Sequence, residues 1–268
     1  MGFLYNTYWN SIYVLNDLYY LMFANKDIIK DYKEKHHGED CFIIGNGPSL
    51  TPEDLDKIQQ SGVVTFASNR IYKMFDKTTW RPTYITVADE SMITSKDVLY
   101  GVEIAKPMMF FTRSQFSLFV KDVKAPKCLL RTKYSRKYLD NPIFSVYCEK
   151  EIYDIATVTF FSLQLAAYMG FKRIYLIGMD NRYAYSKLRD GTIVRNEGVL
   201  DHHNDDNILP NPKTAVPTWE LDTAFACAER YSKANNFRIY NATRGGYLES
   251  FERVPFEKVI LNMEVEKI

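Results

Sequence analysis

The stretch Cys41–Leu50, CFIIGNGPSL, runs four apolar-leaning residues into Gly45, Asn46, Gly47, Pro48 and Ser49, directly before the helix-forming TPEDLDKI. Glycines let a backbone come close to a ligand, and a helix N-terminus offers free N–H groups and partial positive charge to an anion. Nucleotide or phosphate binding is the chemistry such a loop can do. The same residues also build an ordinary capped turn, with Ser49 or Thr51 as the cap and Asp54 as the capping-box partner of Thr51. Other strand ends favour the first reading. Ser68-Asn69 follows VVTFA, Asp89 follows TYITVA, and Gly178-Met179-Asp180 follows RIYLI. If these strands are parallel, Asn46, Asn69, Asp89 and Asp180 emerge on one sheet edge. Amides and carboxylates there suit a base and ribose hydroxyls, with backbone N–H groups left for phosphates.

The elements that would position these residues follow from periodicity. Apolar runs at 41–45, 63–67, 83–88, 108–111, 144–147, 173–177 and 237–240 read as strands, and 51–60, 155–169 and 217–235 as helices. Strands alternating with helices predict a single doubly wound, mostly parallel α/β sheet of the Rossmann-like kind over 40–268. A helical segment, 1–39, precedes it. The polar stretch 181–216 is long for a plain connection and reads as a lid or binding loop.

A net charge of +1 on 268 residues removes the electrostatic case for nucleic acid. Cys41, Cys128, Cys148 and Cys227 show no CxxC pairing and read as small hydrophobes in a reduced, cytoplasmic protein. Asn6, Asn10, Asn16 and Asp17 interrupt the aromatic N-terminus, which lacks the run of ~18 apolar residues that spans a bilayer. It also lacks the basic start of a secretory signal. Packing on the domain is the expectation for this segment, with a partner or the inner face of the membrane as the other surfaces it could meet.

The histidines occur as two pairs. His36-His37 lies in the charged KEKHHGED and is expected to be solvated surface. His202-His203 lies in DHHNDD within the lid, where a neutral imidazole could accept an acceptor hydroxyl proton near pH 7. The same His and Asp residues could instead converge on a divalent ion, although the spacing matches no regular metal motif. Asp54-Leu55-Asp56 formally reads DxD, but residues two apart on a helix diverge by about 200° and cannot chelate one ion. These acids are expected to favour the helix dipole.

The blocks CFIIGNGPSL, FASNRIYKMFDKTTWRPTYITVAD and AAYMGFKRIYLIGMD resemble the DUF115 or MptE-like family over roughly 40 to 260. They are also similar to bacterial sialyltransferases of glycosyltransferase family 42, a variant GT-A fold that binds CMP-sialic acid. The resemblance implies that Asn46 and Gly47 approach ribose and phosphate and that Asn69 contacts the nucleotide or donor sugar. Gly45, Pro48 and Ser49 belong to the same loop, and Gly178 to the turn before Asp180. Asp89 stands where the family has asparagine, and Thr157, Val158 and Thr159 stand where it has Thr-Ser-Gly, which bears on the sugar recognised. Tyr183 and Tyr185 fall where the family's tyrosines hold the leaving phosphate. The family takes its base from the lid, which implies His202 or His203; His203 is preferred because it is nearer the Asn204-Asp205-Asp206 run, whose carboxylates could orient its ring.

The expected activity is glycosyl transfer, by direct displacement from a nucleotide-sugar donor, of a CMP-linked sialic-acid-like type, to a glycan or lipid-linked glycan acceptor, with no required metal or cofactor and with a homo-oligomer open. A pterin diphosphokinase using ATP and magnesium is the alternative implied by the MptE-like branch. A non-catalytic nucleotide-sugar-binding protein is the third reading.

Overall fold

Along residues 41–44 the side chains alternate. Cys41 and Ile43 enter one apolar cluster, Phe42 and Ile44 another, and none is more than 2% exposed. A strand buried on both faces belongs in the middle of a parallel sheet covered by helices. The computed structural model of the protein, which describes residues 27–133, 137–199 and 211–265 together with 11, 14–16, 18–22 and 24, has that arrangement. Its strands are β1 (Asp40–Ile44), β2 (Val64–Ser68), β3 (Tyr84–Val87), β4 (Met109–Arg113), β5 (Lys127–Leu130), β6 (Thr132–Lys133), β7 (Ile152–Tyr153), β8 (Arg173–Ile177), β9 (Tyr185–Lys187), β10 (Ile193–Arg195), β11 (Arg238–Asn241) and β12 (Glu252–Arg253). The main sheet has the order β12-β11-β8-β1-β2-β3-β4-β5, and every neighbouring pair is parallel. The chain winds outward from β1 to β5 and then crosses back to β8. The reversal places a crevice between β1 and β8, beyond their carboxyl ends.

Helices cover both faces: α1 (Pro52–Ser61), α2 (Glu90–Ile93), α3 (Lys96–Ala105), α4 (Lys137–Asp140), α5 (Val158–Tyr168), α6 (Thr218–Ala234) and α7 (Phe256–Val265). Phe160, Phe161 and Leu163 of α5 and Leu221, Ala224 and Phe225 of α6 join the Cys41 face. Leu55 and Ile58 of α1, Val98 and Val102 of α3 and Phe256 of α7 join the Phe42 face. Because α5 lies between the sheet and α6, it is apolar almost all round, which is what a helix buried on several sides requires.

Three expectations change. Residues 144–147 form no strand: Gln164 of α5 accepts from the Ser145 and Tyr153 N–H groups at 3.1 Å each, and Phe144 stacks on Tyr231. A buried side-chain amide replaces the ladder there. The strand 127–130 and the helices 96–105 and 256–265 were not legible as such. His36, expected in solvent, is 8% exposed, with Nε2 2.7 Å from the Tyr84 hydroxyl, Nδ1 2.9 Å from Glu39 and its ring stacked on Phe171. The turn before β1 is tied to the end of α5 by His36 N–H donating to Met169 O, and this draws the ring inward. His37 stays exposed beside Glu34.

All four cysteines are free and buried, and burial pushes the Cys128 thiol up to about 12. Asn16, which breaks the N-terminal apolar run, is fully buried and accepts from Ser117 Oγ and Leu118 N–H at 2.7 Å each. Val14, Leu15, Leu18, Leu21 and Met22 remain exposed. Among the described residues, no helix is long and apolar enough to cross a membrane.

Candidate functional site

The turn after β1 rests against the turn after β8. Gly45 N–H donates to Ile177 O, Gly47 N–H to Gly178 O at 2.9 Å, and Ser49 Oγ to Asp180 Oδ2 at 2.7 Å, with Ser49 N–H reaching the same oxygen at 3.4 Å. A Cβ at Gly47 would overlap the Asp180 carboxylate and lie 2.6 Å from Gly178 O; one at Gly45 would overlap Gly178 O. The two glycines are therefore required by the contact between two strand ends. This corrects the sequence reading on two counts: three N–H groups of the loop are already engaged, and Ser49 is bound to Asp180. Thr51 supplies the helix cap, in a complete capping box with Asp54.

Beyond these turns lies a cavity of about 350 Å³, within the range of small-molecule sites. It brings together Gly45, Asn46, Gly47, Asn69, Asp89, Thr157, Val158, Thr159, Gly178, Asp180 and Tyr183 from the sequence reading. Pro48 is exposed, and Pro48, Ser49 and Tyr185 are outside the lining. Tyr185 begins β9, where its carbonyl accepts from Val216 N–H. His202 and His203 lie outside the described residues.

Three lining residues, Asn69, Ala156 and Asn181, have left-handed backbones with φ of 53°, 59° and 50°. Such conformations cost energy outside glycine and collect where a site needs a particular aim. The Oδ1 atoms of Asn69 and Asn181 are buried without a hydrogen-bond partner. A buried acceptor left unpaired costs about 1–3 kcal/mol. Asn46 Nδ2 donates to Ser68 O at 3.1 Å, tying the β1 turn to the end of β2. Asp89 caps α2, accepting from Ser91 N–H at 2.7 Å and Met92 N–H at 3.2 Å. Thr157 caps α5 through Thr159 N–H at 3.2 Å. Val216, Leu221, Phe225 and Leu248 supply an apolar wall on the α6 side.

Sequence reasoning missed the cations. Arg70 and Lys73 line the cavity from the 3-10 helix Asn69–Met74, and Arg182 lines it while its guanidinium sits over Tyr247. The signal was present: two cations three apart directly after a strand end. It also missed Arg113, at the end of β4, whose Nη1 donates to Asp154 at 2.7 Å and to Ala88 O at 3.3 Å. This pair fastens the segment before Ala156 to the end of β3. Burial raises the Asp154 carboxyl above the ordinary aspartate range, with Arg113 opposing. A carboxyl raised in the folded state binds its proton more tightly there than in the unfolded chain. Its contribution is therefore most favourable at low pH and is lost as pH rises through the folded value. The expected result is that Asp154→Asn flattens the part of the stability profile that falls just above the ordinary aspartate range, measured by thermal unfolding across pH; an unchanged profile would show that Asp154 does not titrate differently on folding.

A parallel α/β sheet wound about a switch point, with helices on both faces, is a Rossmann-like domain. Within that class the chain belongs to the MptE-like family, described as 6-hydroxymethylpterin diphosphokinase MptE-like, whose model matches residues 16–186. No curated protein sequence matches the chain. Its fold is similar to that of the MAf glycosyltransferase from Magnetospirillum magneticum AMB-1, at 15% identity and a TM-score of 0.54 over 90% of this chain. The chain spans 40% of that protein's length. The sialyltransferase CstII from Campylobacter jejuni, solved with cytidine-5'-monophosphate, also matches, at 15% identity and a TM-score of 0.47 over 81% of this chain and 85% of CstII.

Proposed function

We propose that the protein is a glycosyltransferase that binds a nucleotide-sugar donor in this cavity and passes the sugar to a glycan or lipid-linked glycan. The observation that carries the reading is a cavity at the switch point lined by the amides of Asn46, Asn69 and Asn181 and the carboxylates of Asp89 and Asp180. They call for a ligand rich in hydroxyl or amino donors, which a nucleoside and a sugar both are. A CMP-linked acidic sugar is the donor favoured by the sequence resemblance. A lid histidine, His203 before His202, would accept the acceptor proton, and Tyr183 would steady the departing phosphate. The test is transfer and hydrolysis against CMP-sugars, UDP-sugars and ATP; turnover of no nucleotide-sugar in the panel would count against the reading.

The family description favours a second reading, a pterin diphosphokinase, since the apolar wall of Val216, Leu221, Phe225 and Leu248 could take a flat ring. Metal separates the two. Among the described residues no cluster of three His, Cys, Asp or Glu side chains is placed to hold an ion. Sugar transfer is expected to continue in EDTA, whereas pyrophosphoryl transfer from ATP would stop and return with Mg²⁺.

A further inference from the structure

The loop expected to cradle phosphate has three of its N–H groups engaged. Gly45 donates to Ile177 O, Gly47 to Gly178 O and Ser49 to Asp180. The α5 N-terminus is similarly occupied: Thr159 N–H donates to Thr157 Oγ1 at 3.2 Å, and Phe160 N–H to Thr157 O at 3.0 Å. These N–H groups are not open to a phosphate, and the cavity's cations are the stronger partners for its charge.

We infer that Arg70 and Lys73 form the phosphate subsite of the cavity, holding the phosphoryl group of a nucleotide ligand by direct cationic contact. The inference rests on the nucleotide reading above and deepens it. Arg70 lies at a kink in the 3-10 segment, φ −90° and ψ 18°, and Lys73 three residues on; both line the same cavity. Ile71 and Met74 are 1% and 2% exposed and fix the helix against the core. Both cations are half-buried and line the cavity. Neither has a carboxylate within ion-pair distance among the described residues, in contrast to Arg113, which Asp154 pairs. The lining carboxylates have donors of their own, Asp89 from Ser91 and Met92, and Asp180 from Ser49. Partly desolvated cations without counter-ions are costly alone and favourable once an anion arrives. An arginine fork and a lysine point charge together match adjacent phosphate oxygens.

Calorimetric titration tests this with cytidine and CMP, uridine and UDP, adenosine and ATP, and inorganic pyrophosphate. Arg70→Gln and Lys73→Met keep most of the side-chain volume, and their fold is checked by circular dichroism. The expected result is a loss of about 10- to 100-fold in affinity for the nucleotide that binds, the range for a charge-assisted hydrogen bond, with its nucleoside unaffected. Full nucleotide affinity in both folded variants would overturn the subsite and leave the nucleotide reading standing. Pyrophosphate binding that both variants lose, in a protein that binds no nucleoside or nucleotide, would support the subsite and sink the nucleotide reading. Binding of neither nucleotides nor pyrophosphate by the native protein would overturn both.

Discussion

Replacing Gly47 by alanine is expected to abolish nucleotide binding and to lower stability by about 1–3 kcal/mol, the usual cost of overpacking a tight contact. Read from the sequence, the glycine is a place where phosphate approaches the backbone, and its loss should spare the fold. The structure changes the second half of that expectation. The added methyl meets Asp180 and the Gly178 carbonyl, so the two turns that floor the cavity must separate. Such a shift would disturb the Gly47–Gly178 and Ser49–Asp180 hydrogen bonds and displace Asn46 and Asn181 with their turns. Denaturant unfolding and calorimetry read the two effects. Because the Asp180 carboxylate is the nearest group, Asp180→Ala should relieve part of the stability penalty, giving a coupling of about 0.5–3 kcal/mol in a double-mutant cycle. A Gly47→Ala protein with native stability and native affinity would show that the turns do not depend on this contact.

Arg244→Ala is expected to destabilise the fold by about 2–3 kcal/mol without touching the cavity. Arg244 makes a two-pronged contact with Asp54, 2.7 Å on each arm, and Asp54 is 1% exposed inside the first turn of α1. Removing one partner of a buried pair costs about 3–5 kcal/mol because the other charge stays behind; Arg244 itself is 41% exposed, which moves the figure down. Lysine keeps the charge but lacks the fork and should recover only part of the loss. Arg244 also bonds Glu257 on α7 and holds that carboxyl below the ordinary glutamate range. A carboxyl depressed in the folded state stabilises above its unfolded value, and that contribution is lost as pH falls through the folded one. The Ala variant should therefore lose less stability than the native protein on acidification, as well as starting lower. Equal unfolding midpoints for the two proteins at neutral pH would remove the Asp54 pair from the account of stability.

The central part of the fold was legible because its cause is local. Phe42, Ile44, Phe66 and Ile174 sit in short β-branched and aromatic runs, buried on both faces, and such runs look the same before and after folding. The edge strand β5 was not, since only Cys128 and Leu130 are fully buried and the run is brief. His36 was misread because nothing in KEKHHGED reveals that Tyr84, 48 residues on, will meet its ring.

The sequence by itself determined the alternation of strands and helices, the spacing of Thr51 and Asp54 that suits a capping box, and the strand ends that carry Asn46, Asn69, Asp89 and Asp180, because hydrophobic period and turn chemistry are properties of neighbouring residues. Only the tertiary structure decided what those ends do to one another. The parallel register of β1 beside β8 brings Gly47 against Asp180, engages the N–H groups of Gly45, Gly47 and Ser49 within the protein, and opens a cavity that Arg70 and Lys73 also line. Contacts across more than a hundred residues are set by strand order and close packing, which no local spacing encodes.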